Sequence, residues 1–325
     1  MSLVGPARRA LRLGLAAASG NQAGLAAAPA WADQAPSQRP VGHTIPRMPD
    51  EAFFVPRDDG YAPTELTRGP WDPDSQHAGP PAGLIGREIE RLEGGAGRHV
   101  GRITFDILRA VPIAPLRVEA RIVRPGRSVE LVEASLSDSE GPLIRAMAWR
   151  LRLAEVEIPP GVSSADGPGL IGTSPSTLRP GFAPPGVDEA RPGTFPPTGH
   201  DVGYHTAMEY RFVRGGFADP GPALVWMRMR QPLVAGEAPS PLQRVLVAAD
   251  SGNGVSATLD WTRYLFINVD LTVHLHRPLA GEWVCLDAIT VAEPSGVGLA
   301  DTALYDDRGP IGRAAQTLLI DQRRA

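Results

Sequence analysis

One polar side chain distinguishes two copies of a short pattern in this chain. Residues 136–148 read Leu-Ser-Asp-Ser-Glu-Gly-Pro-Leu-Ile-Arg-Ala-Met-Ala, and residues 304–316 read Leu-Tyr-Asp-Asp-Arg-Gly-Pro-Ile-Gly-Arg-Ala-Ala-Gln. Leu, Asp, Gly-Pro and Arg-Ala recur at a constant offset of 168 residues. Such a repeat indicates a fold built by duplication. Because the last position is Ala148 in one copy and Gln316 in the other, we expect one half to carry chemistry and the other to support it.

Other residues whose types could do chemistry have weaker patterns. His274 and His276 lie two positions apart, which is typical of one strand face and could serve a metal or an acid–base pair. No third ligand has matching spacing, so an exposed face is the preferred interpretation. Cys285 is the single cysteine and lies in an apolar run, which predicts a buried small side chain rather than a reactive thiol. The sequence therefore predicts no metal centre and no bound cofactor.

Several familiar motifs fail on their context or are missing. Residues 252–257 read Gly-Asn-Gly-Val-Ser-Ala and imitate a dinucleotide-binding loop, but they follow a predicted helix rather than a strand. The chain has no Gly-x-Ser-x-Gly motif and no P-loop, which argues against a serine esterase and a nucleotide hydrolase. The net charge of −4, without a long basic run, argues against nucleic-acid binding. No stretch approaches the ~20 apolar residues of a membrane-spanning helix.

Composition divides the chain into four parts. Residues 1–50 are rich in Ala, Pro and Arg without a clear period, so we expect little order there. The segment imitates a secretory signal, but polar residues interrupt its apolar stretch, which argues against one. We therefore expect a cytoplasmic protein. Residues 51–156 and 201–325 form two predicted modules, and residues 157–200 have the Pro- and Gly-rich composition of a linker.

Each module opens with an extended stretch followed by a helix. The first helix begins near Gly79, and the second begins at Pro241 with Ser240 as its N-cap. The second helix is predicted to end near Ser251–Gly254, where two glycines permit positive φ. Long strands follow in each module, and a strict alternation over residues 267–276 predicts two faces. Ile267, Val269, Leu271, Val273 and Leu275 lie on one face, and Asn268, Asp270, Thr272, His274 and His276 lie on the other. Further strands are predicted at residues 103–108, 117–124, 129–137, 143–153, 283–292, 298–305 and 311–320.

These elements predict an α+β architecture in which each module packs one long helix on an antiparallel sheet. Two duplicated modules of this kind form a pseudo-dimer. Ligand sites favour the cleft where such modules meet.

Two segments carry a resemblance to a known family. Residues 76–82 read Gln-His-Ala-Gly-Pro-Pro-Ala, and residues 268–278 read Asn-Val-Asp-Leu-Thr-Val-His-Leu-His-Arg-Pro, followed by Glu-Trp at 282–283. Over about residues 50–323 the chain resembles the type II acyl-CoA thioesterase family of the thioesterase-like superfamily. This resemblance implies a double hotdog, made of two tandem modules, with the catalytic residues in the C-terminal module.

The resemblance also implies the site residues. The family's catalytic groups fall on Asp250 at the helix end, Asn268 at the start of the next strand and Gln316 on the last strand. The middle position is often a hydroxyl residue in the family, whereas Asn268 cannot act as a nucleophile. His77 and Gly79 are the expected substrate-binding residues. Asp250 would activate water as a general base, and backbone N–H groups near Gly79 would bind the oxyanion.

The expected activity is hydrolysis of an acyl-CoA to a free acid and CoA, with acyl-CoA as the partner and a homo-oligomer as the assembly. Two alternatives remain open. The chain could bind acyl-CoA or lipid without turnover, or it could be a hotdog hydratase or dehydratase that uses His274 or His276.

Overall fold

Residues 52–157 and 182–323, which the computed structural model describes, form antiparallel strands around two neighbouring helices. The expectation for residues 1–50 lies outside the described residues, and so does part of the predicted linker. Within those ranges the helices are α1 (Gly79–Arg91), α2 (Tyr204–Ala207), α3 (Pro241–Ala249) and α4 (Gly252–Val255). The strands are β1 (Phe54–Arg57), β2 (Gly60–Pro63), β3 (Arg98–Ile107), β4 (Arg117–Arg124), β5 (Val129–Asp138), β6 (Gly141–Arg152), β7 (Arg191–Pro192), β8 (Met208–Gly216), β9 (Asp219–Met229), β10 (Tyr264–Asn268), β11 (Asp270–Leu275), β12 (Val284–Ala292), β13 (Val297–Asp306) and β14 (Gly309–Gln322). The α+β class is as predicted.

The two main helices, α1 and α3, pack closely and run antiparallel. Gly79 at the start of α1 lies against Val247 near the end of α3, and Glu90 near the end of α1 accepts a hydrogen bond from Ser240 at the start of α3. A Cβ at Gly79 would lie 2.4 Å from the Val247 carbonyl oxygen, so only glycine permits this approach. The helix α1 has 13 residues and α3 has nine, so a long helix is not confirmed for the second module.

One twelve-stranded sheet runs through both halves of the chain. The halves meet where β3 pairs with β11. Thr104 pairs with Thr272, 168 residues later, and their hydroxyl oxygens are 3.2 Å apart. The flanking pairs are symmetric about this point, which makes it a local two-fold axis between equivalent strands. The strand order is β4-β5-β6-β3-β11-β14-β13-β12-β9-β8-β7, with β10 also paired to β14.

The duplication predicted from the sequence is confirmed by the strand boundaries. Strands β5 and β13 correspond residue for residue at the offset of 168, and each enters a tight hairpin with the following strand. Gly141 and Gly309 occupy the same turn position with φ of 125° and 113°, a backbone conformation that favours glycine. The hairpins therefore repeat along with the Asp-x-x-Gly sequence.

The predicted alternation over residues 267–276 is wrong at its start. Phe266 and Leu271 are both buried, at 3% and 1% exposure, although they lie five positions apart and a regular strand would place them on opposite faces. The strand breaks at Val269, which is 47% exposed, between β10 and β11. Gly101, 168 residues earlier, lies at an equivalent irregularity in β3. The extra residue Val269 between β10 and β11 places Asn268 on the helix side of the sheet.

The largest hydrophobic core lies between the helix pair and the sheet. Its members from the helices and from the central strands are almost completely buried. They include Ile85, Ile89, Val245, Leu246, Ile103, Phe105, Leu271 and Val273. Within residues 52–157 and 182–323, no helix combines the length and the apolar character that crossing a membrane requires.

Candidate active site

The end of α3 places a carboxylate in the interior. Asp250 follows Ala249 as the C-cap with helical φ and ψ of −66° and −13°, and it is only 3% exposed. The predicted positive φ at Gly252 and Gly254 is wrong, because both glycines continue into the short helix α4. A Cβ at Gly252 would lie 2.5 Å from Thr302 Oγ1 and 3.1 Å from Gln316 Oε1, so a larger residue there would displace these side chains.

Three side chains converge on Asp250. Asn268 Nδ2 donates to Asp250 Oδ1 over 2.9 Å, and Gln316 Nε2 lies 3.1 Å from the Asp250 backbone oxygen and 3.4 Å from Oδ1. His77 Nδ1 lies 3.0 Å from Oδ2. The structure thus brings together four of the five residues expected at the site, and Gly79 adjoins them through His77.

The orientation of Gln316 is fixed from both ends of its amide. Its Oε1 accepts a hydrogen bond from the Asn253 backbone N–H over 3.1 Å, so its NH₂ group faces Asp250. The side chain is 1% exposed. Ala148, the equivalent residue of the first half, is also buried and offers no polar group.

Asn268 has one polar atom left for a ligand. Its Nδ2 donates both to Asp250 Oδ1 and to the Asp270 backbone oxygen, the latter over 3.2 Å. Both amide hydrogens are therefore engaged, and only Oδ1 remains, which is an acceptor. Asn268 can hold a water hydrogen but cannot donate to a substrate carbonyl.

An aromatic ring that the sequence did not reveal supports His77. Tyr204 of α2 stacks on the imidazole with ring centroids 3.7 Å apart and an angle of 9° between the planes. The Tyr204 hydroxyl donates to the Val247 carbonyl over 2.7 Å and lies 2.9 Å from Ser251 Oγ. Burial raises the pKa of Tyr204 above its ordinary value, so this residue stays neutral and holds the ring in place. No local motif marks Tyr204, because its partners are distant in sequence.

The start of α1 offers few hydrogen-bond donors. Gly79 is followed by Pro80 and Pro81, which have no N–H, so the first three helical residues supply only the Gly79 N–H. That group lies 3.1 Å from His77 Nδ1, the same atom that faces Asp250. A single ring nitrogen carries either a proton or a lone pair. His77 can therefore donate to Asp250 or accept from Gly79, but not both at once.

The remaining candidates lie elsewhere. His274 and His276 are exposed, and Arg102 and Arg313 flank His274 on the neighbouring strands. Partial desolvation of the His274 ring against the sheet, together with these two arginines, lowers its pKa. The histidine that pairs with Asp250 is His77, so the hydratase alternative loses the two residues on which it was based. In the part of the chain that the structure describes, no three His, Cys, Asp or Glu residues could hold a metal ion together.

Cys285 is a buried residue of the core, as predicted. Its side chain is fully enclosed, and burial raises the pKa of the thiol well above its ordinary value. A thiol that resists ionisation is a poor nucleophile.

Comparison with known families gives a direct match in both halves. The family described as "Acyl-CoA thioesterase N-terminal domain" matches residues 67–151. The family described as "Acyl-CoA thioesterase C-terminal domain" matches residues 184–320. Together these matches cover well over half of the chain. The chain belongs to the type II acyl-CoA thioesterase family.

Solved structures support the same fold. A conserved hotdog-fold protein of unknown function from Alicyclobacillus acidocaldarius is 13% identical, with a TM-score of 0.59 over 81% of this chain and 91% of that one. The acyl-CoA thioesterase II TesB2 from Mycobacterium marinum is 16% identical, with a TM-score of 0.54 over 77% of this chain and 91% of that one. At these identities the likeness establishes the hotdog fold alone. No curated protein matches the chain.

Proposed function

We propose that this protein is an acyl-CoA thioesterase that uses Asp250 to activate water. The observation that carries the proposal is the buried Asp250 carboxylate, held by Asn268, Gln316 and His77 where the start of one helix meets the end of the other. Carboxylates are rarely buried unless they are paired or do chemistry. Here the partners leave one acceptor, Asn268 Oδ1, beside the carboxylate, and the family supplies the substrate class.

The proposed reaction needs no covalent enzyme intermediate. Asp250 takes a proton from a water molecule whose other hydrogen is held by Asn268 Oδ1, and the water oxygen attacks the thioester carbonyl carbon. The carbonyl π electrons move onto oxygen, and they return when the carbon–sulfur bond breaks. The departing CoA sulfur takes the proton from Asp250, which restores the carboxylate. Gln316 keeps the carboxylate oriented through these steps.

The donor for the developing oxyanion is proposed to be the Gly79 N–H. When His77 Nδ1 carries a proton and donates to Asp250, it no longer accepts from Gly79, and the Gly79 N–H becomes free for the substrate oxygen. The dipole of α1 adds positive potential at the same place. Because Pro80 and Pro81 offer no N–H, this single group would carry most of the oxyanion stabilisation from α1.

Both halves contribute to this proposed centre. Asp250, Asn268 and Gln316 belong to the C-terminal module as divided above, whereas His77 and Gly79 belong to the N-terminal one. We therefore propose that neither module is active alone.

The homo-oligomer stays a prediction. Its support is a group of half-exposed apolar residues on adjacent strands, where Val291 pairs with Leu299 and Val297 pairs with Leu319. Contiguous apolar surface of this kind is typical of protein interfaces. Sedimentation of the full chain would test it, and a monomer at all concentrations would contradict it.

The activity is tested by following free-thiol release from acyl-CoAs of short, medium and long chain. Turnover that depends on chain length supports the proposal and names the substrate class. Acyl-CoA that binds without any release of CoA would contradict it and favour the non-catalytic alternative.

A further inference from the structure

The proposed site meets solvent on one side. Asp250 and Gln316 are 3% and 1% exposed, whereas Asn268 and His77 are partly exposed. These two partly exposed side chains therefore mark the opening through which a substrate reaches the carboxylate. Because phosphate groups are costly to bury, the nucleotide end of a CoA ester stays outside this opening while its thioester enters.

Aromatic side chains from both modules border the opening. Trp71 belongs to the loop that leads to His77, and Phe266 shares a face of β10 with Asn268, which lies two positions further on. The Trp71 and Phe266 rings meet edge to face, with centroids 4.8 Å apart. Phe266 is buried, whereas Trp71 is partly exposed. Trp71 therefore offers ring surface to a ligand that extends outward from Asn268.

Arg323 adds a cation to this aromatic surface. Its guanidinium carbon lies 5.4 Å from the centroid of the Trp71 ring, and its Nε donates to the Trp261 carbonyl over 2.8 Å. The Arg323 side chain is partly exposed. Its two Nη atoms are not enclosed and make no hydrogen bond or ion pair with a described residue. Both Nη groups can therefore donate to the oxygens of a ligand.

Arg263 places a second cation beside the first. The backbone N–H of Arg323 donates to the Arg263 carbonyl over 2.9 Å, which joins the residue after β14 to the residue before β10. The Arg263 side chain is exposed, lies 5.8 Å from the centroid of the Tyr264 ring and forms no ion pair with a described residue. Two neighbouring guanidinium groups are thus available to one ligand, and the planar donor fork of Arg matches phosphate.

The acidic residues closest to these arginines in the chain have other partners or point elsewhere. Asp72 accepts hydrogen bonds from a backbone N–H and a hydroxyl of its own loop. Asp260 accepts two hydrogen bonds from the turn before β10. Asp321 follows Ile320, the register partner of Phe266, and so points away from the Phe266 face. None of these three carboxylates forms an ion pair with either arginine, so both guanidinium charges stay available.

The two cations belong to one module only. The offset of 168 holds at this end of the sheet, because the register of β10 with β14 repeats that of β3 with β6. At this offset Glu155 takes the place of Arg323, and Gly95 takes the place of Arg263. The module that lacks the amides of the proposed site therefore lacks the cations too, and carries an acid at one of their positions.

We propose that Arg323 and Arg263 bind the phosphates of CoA and that Trp71 lies along its pantetheine arm. From Asn268 to Tyr264, β10 spans about 13 Å at ~3.3 Å per residue, a distance that an extended pantetheine arm covers. Guanidinium groups form strong, charge-assisted hydrogen bonds with phosphate. The inference rests on the proposed function, since it names the residues that recognise the carrier of the acyl group.

The test is calorimetric titration of the full chain with free CoA, and with pantetheine as the probe without phosphate. Thiol release from an acyl-CoA and from the matching acyl-pantetheine is measured on the same protein. Arg323→Gln and Arg263→Gln each remove one charge. Arg124→Gln is the matched control, because Arg124 is also exposed and lies over a tryptophan, Trp149, but belongs to β4 at the far edge of the sheet.

We expect CoA to bind about tenfold or more weakly to Arg323→Gln, and several-fold more weakly to Arg263→Gln, since charge-assisted hydrogen bonds are lost. Pantetheine should bind the wild type and these variants alike, and CoA binding to Arg124→Gln should stay within about twofold of wild type. With acyl-CoA as substrate, Arg323→Gln should raise KM at nearly unchanged kcat, whereas KM for the acyl-pantetheine should not change.

The outcomes distinguish this inference from the proposed function. CoA affinity that is the same in the wild type, Arg323→Gln and Arg263→Gln would overturn the inference, and hydrolysis at Asp250 would be unaffected by that result. An equal loss in Arg124→Gln would also overturn it, because overall charge would then decide binding. So would an equal loss of pantetheine binding in Arg323→Gln, because the arginine would then act through the fold. Binding of CoA that depends on Arg323, without thiol release, would support the CoA site and contradict hydrolysis.

Discussion

Replacing Asp250 by Asn separates chemistry from structure at the proposed site. The substitution keeps the size of the side chain and removes its ability to accept a proton. An Asn oxygen in the place of Oδ1 still accepts from Asn268 Nδ2, which is 2.9 Å away. The new NH₂ group would face His77 Nδ1, now 3.0 Å from Oδ2, and can donate to it when that nitrogen is unprotonated. Few hydrogen bonds are therefore lost.

The size of the effect follows from these contacts. Loss of a positioned general base lowers kcat by about 10²–10⁴-fold, whereas the free energy of unfolding should change by less than ~1 kcal/mol because the buried groups keep partners. Asp250→Ala behaves differently. It leaves Asn268 and Gln316 without their shared acceptor and should destabilise the fold by about 1–3 kcal/mol for each group left unpaired.

The assay is thiol release from the best acyl-CoA, with kcat and KM measured on protein whose thermal unfolding is recorded in parallel. We expect Asp250→Asn to lose kcat at nearly unchanged KM and unfolding temperature. A kcat within tenfold of wild type, on folded protein, would refute the assignment of Asp250 as the base.

Three further predictions concern the surroundings of the site and the repeat. Gln316→Met keeps the volume but loses the amide, and kcat should fall about a hundredfold through misplacement of the carboxylate, as thiol release would measure. Gly79→Ala places a Cβ 2.4 Å from a backbone oxygen of α3, and should both lower kcat and destabilise the fold by about 1–3 kcal/mol, as kinetics and thermal melting would show. Burial raises the pKa of Asp306, but the Arg277 guanidinium and two backbone N–H groups outweigh it and lower the pKa below its ordinary value. The stability that this pair contributes is present above pH ~3.9 and is lost as pH falls through the folded-state pKa. Arg277→Met should lower the free energy of unfolding by about 3–5 kcal/mol, more than Arg109→Met in the equivalent pair. Denaturant unfolding above pH 5 would measure both.

The chain offers controls for these variants. Gly254→Ala adds a Cβ with nothing within 4 Å, so kcat should stay unchanged, and equal losses in Gly254→Ala and Gly79→Ala would contradict the steric argument. Arg109 is 38% exposed beside a partly shielded Asp138, whereas Arg277 is 26% exposed beside a fully buried partner. Equal destabilisation of Arg109→Met and Arg277→Met would therefore contradict the role of burial. Unchanged kcat in Gln316→Met would remove that residue from the site.

Most strands of this fold could be predicted because their signals are local. Alternating burial and the repeated Asp-x-x-Gly turns depend on neighbouring residues, and the structure reproduces them at the offset of 168. The break at Val269 could not be predicted from alternation, since Val269 is apolar and fits the pattern of the buried face. Its equivalent, Gly101, is the residue type that permits such a bulge. Comparing the two copies would have revealed it, because a strand glycine marks an irregularity that its twin shares.

The site could be predicted only as far as the resemblance reached. Asp250, Asn268 and Gln316 lie far apart in sequence, and no spacing rule brings them together. The pairing of His77 with Asp250 and the stacking of Tyr204 on His77 depend on how α1 packs against α3. That packing follows from close helix contact at Gly79, which is a tertiary property. Sequence patterns identify the helices but do not say which ends of them meet.

The duplication also explains why a single centre is expected. Antiparallel packing of α1 and α3 creates two equivalent junctions, each with a helix end carrying a carboxyl group beside a helix start. At one junction Asn268 and Gln316 complete a polar site. At the other, Val100 and Ala148 face the interior instead, and Ser240 caps the neighbouring helix and occupies the carboxyl of Glu90. The backbone is thus shared, and a few side chains distinguish the junction that we propose to be catalytic from its counterpart.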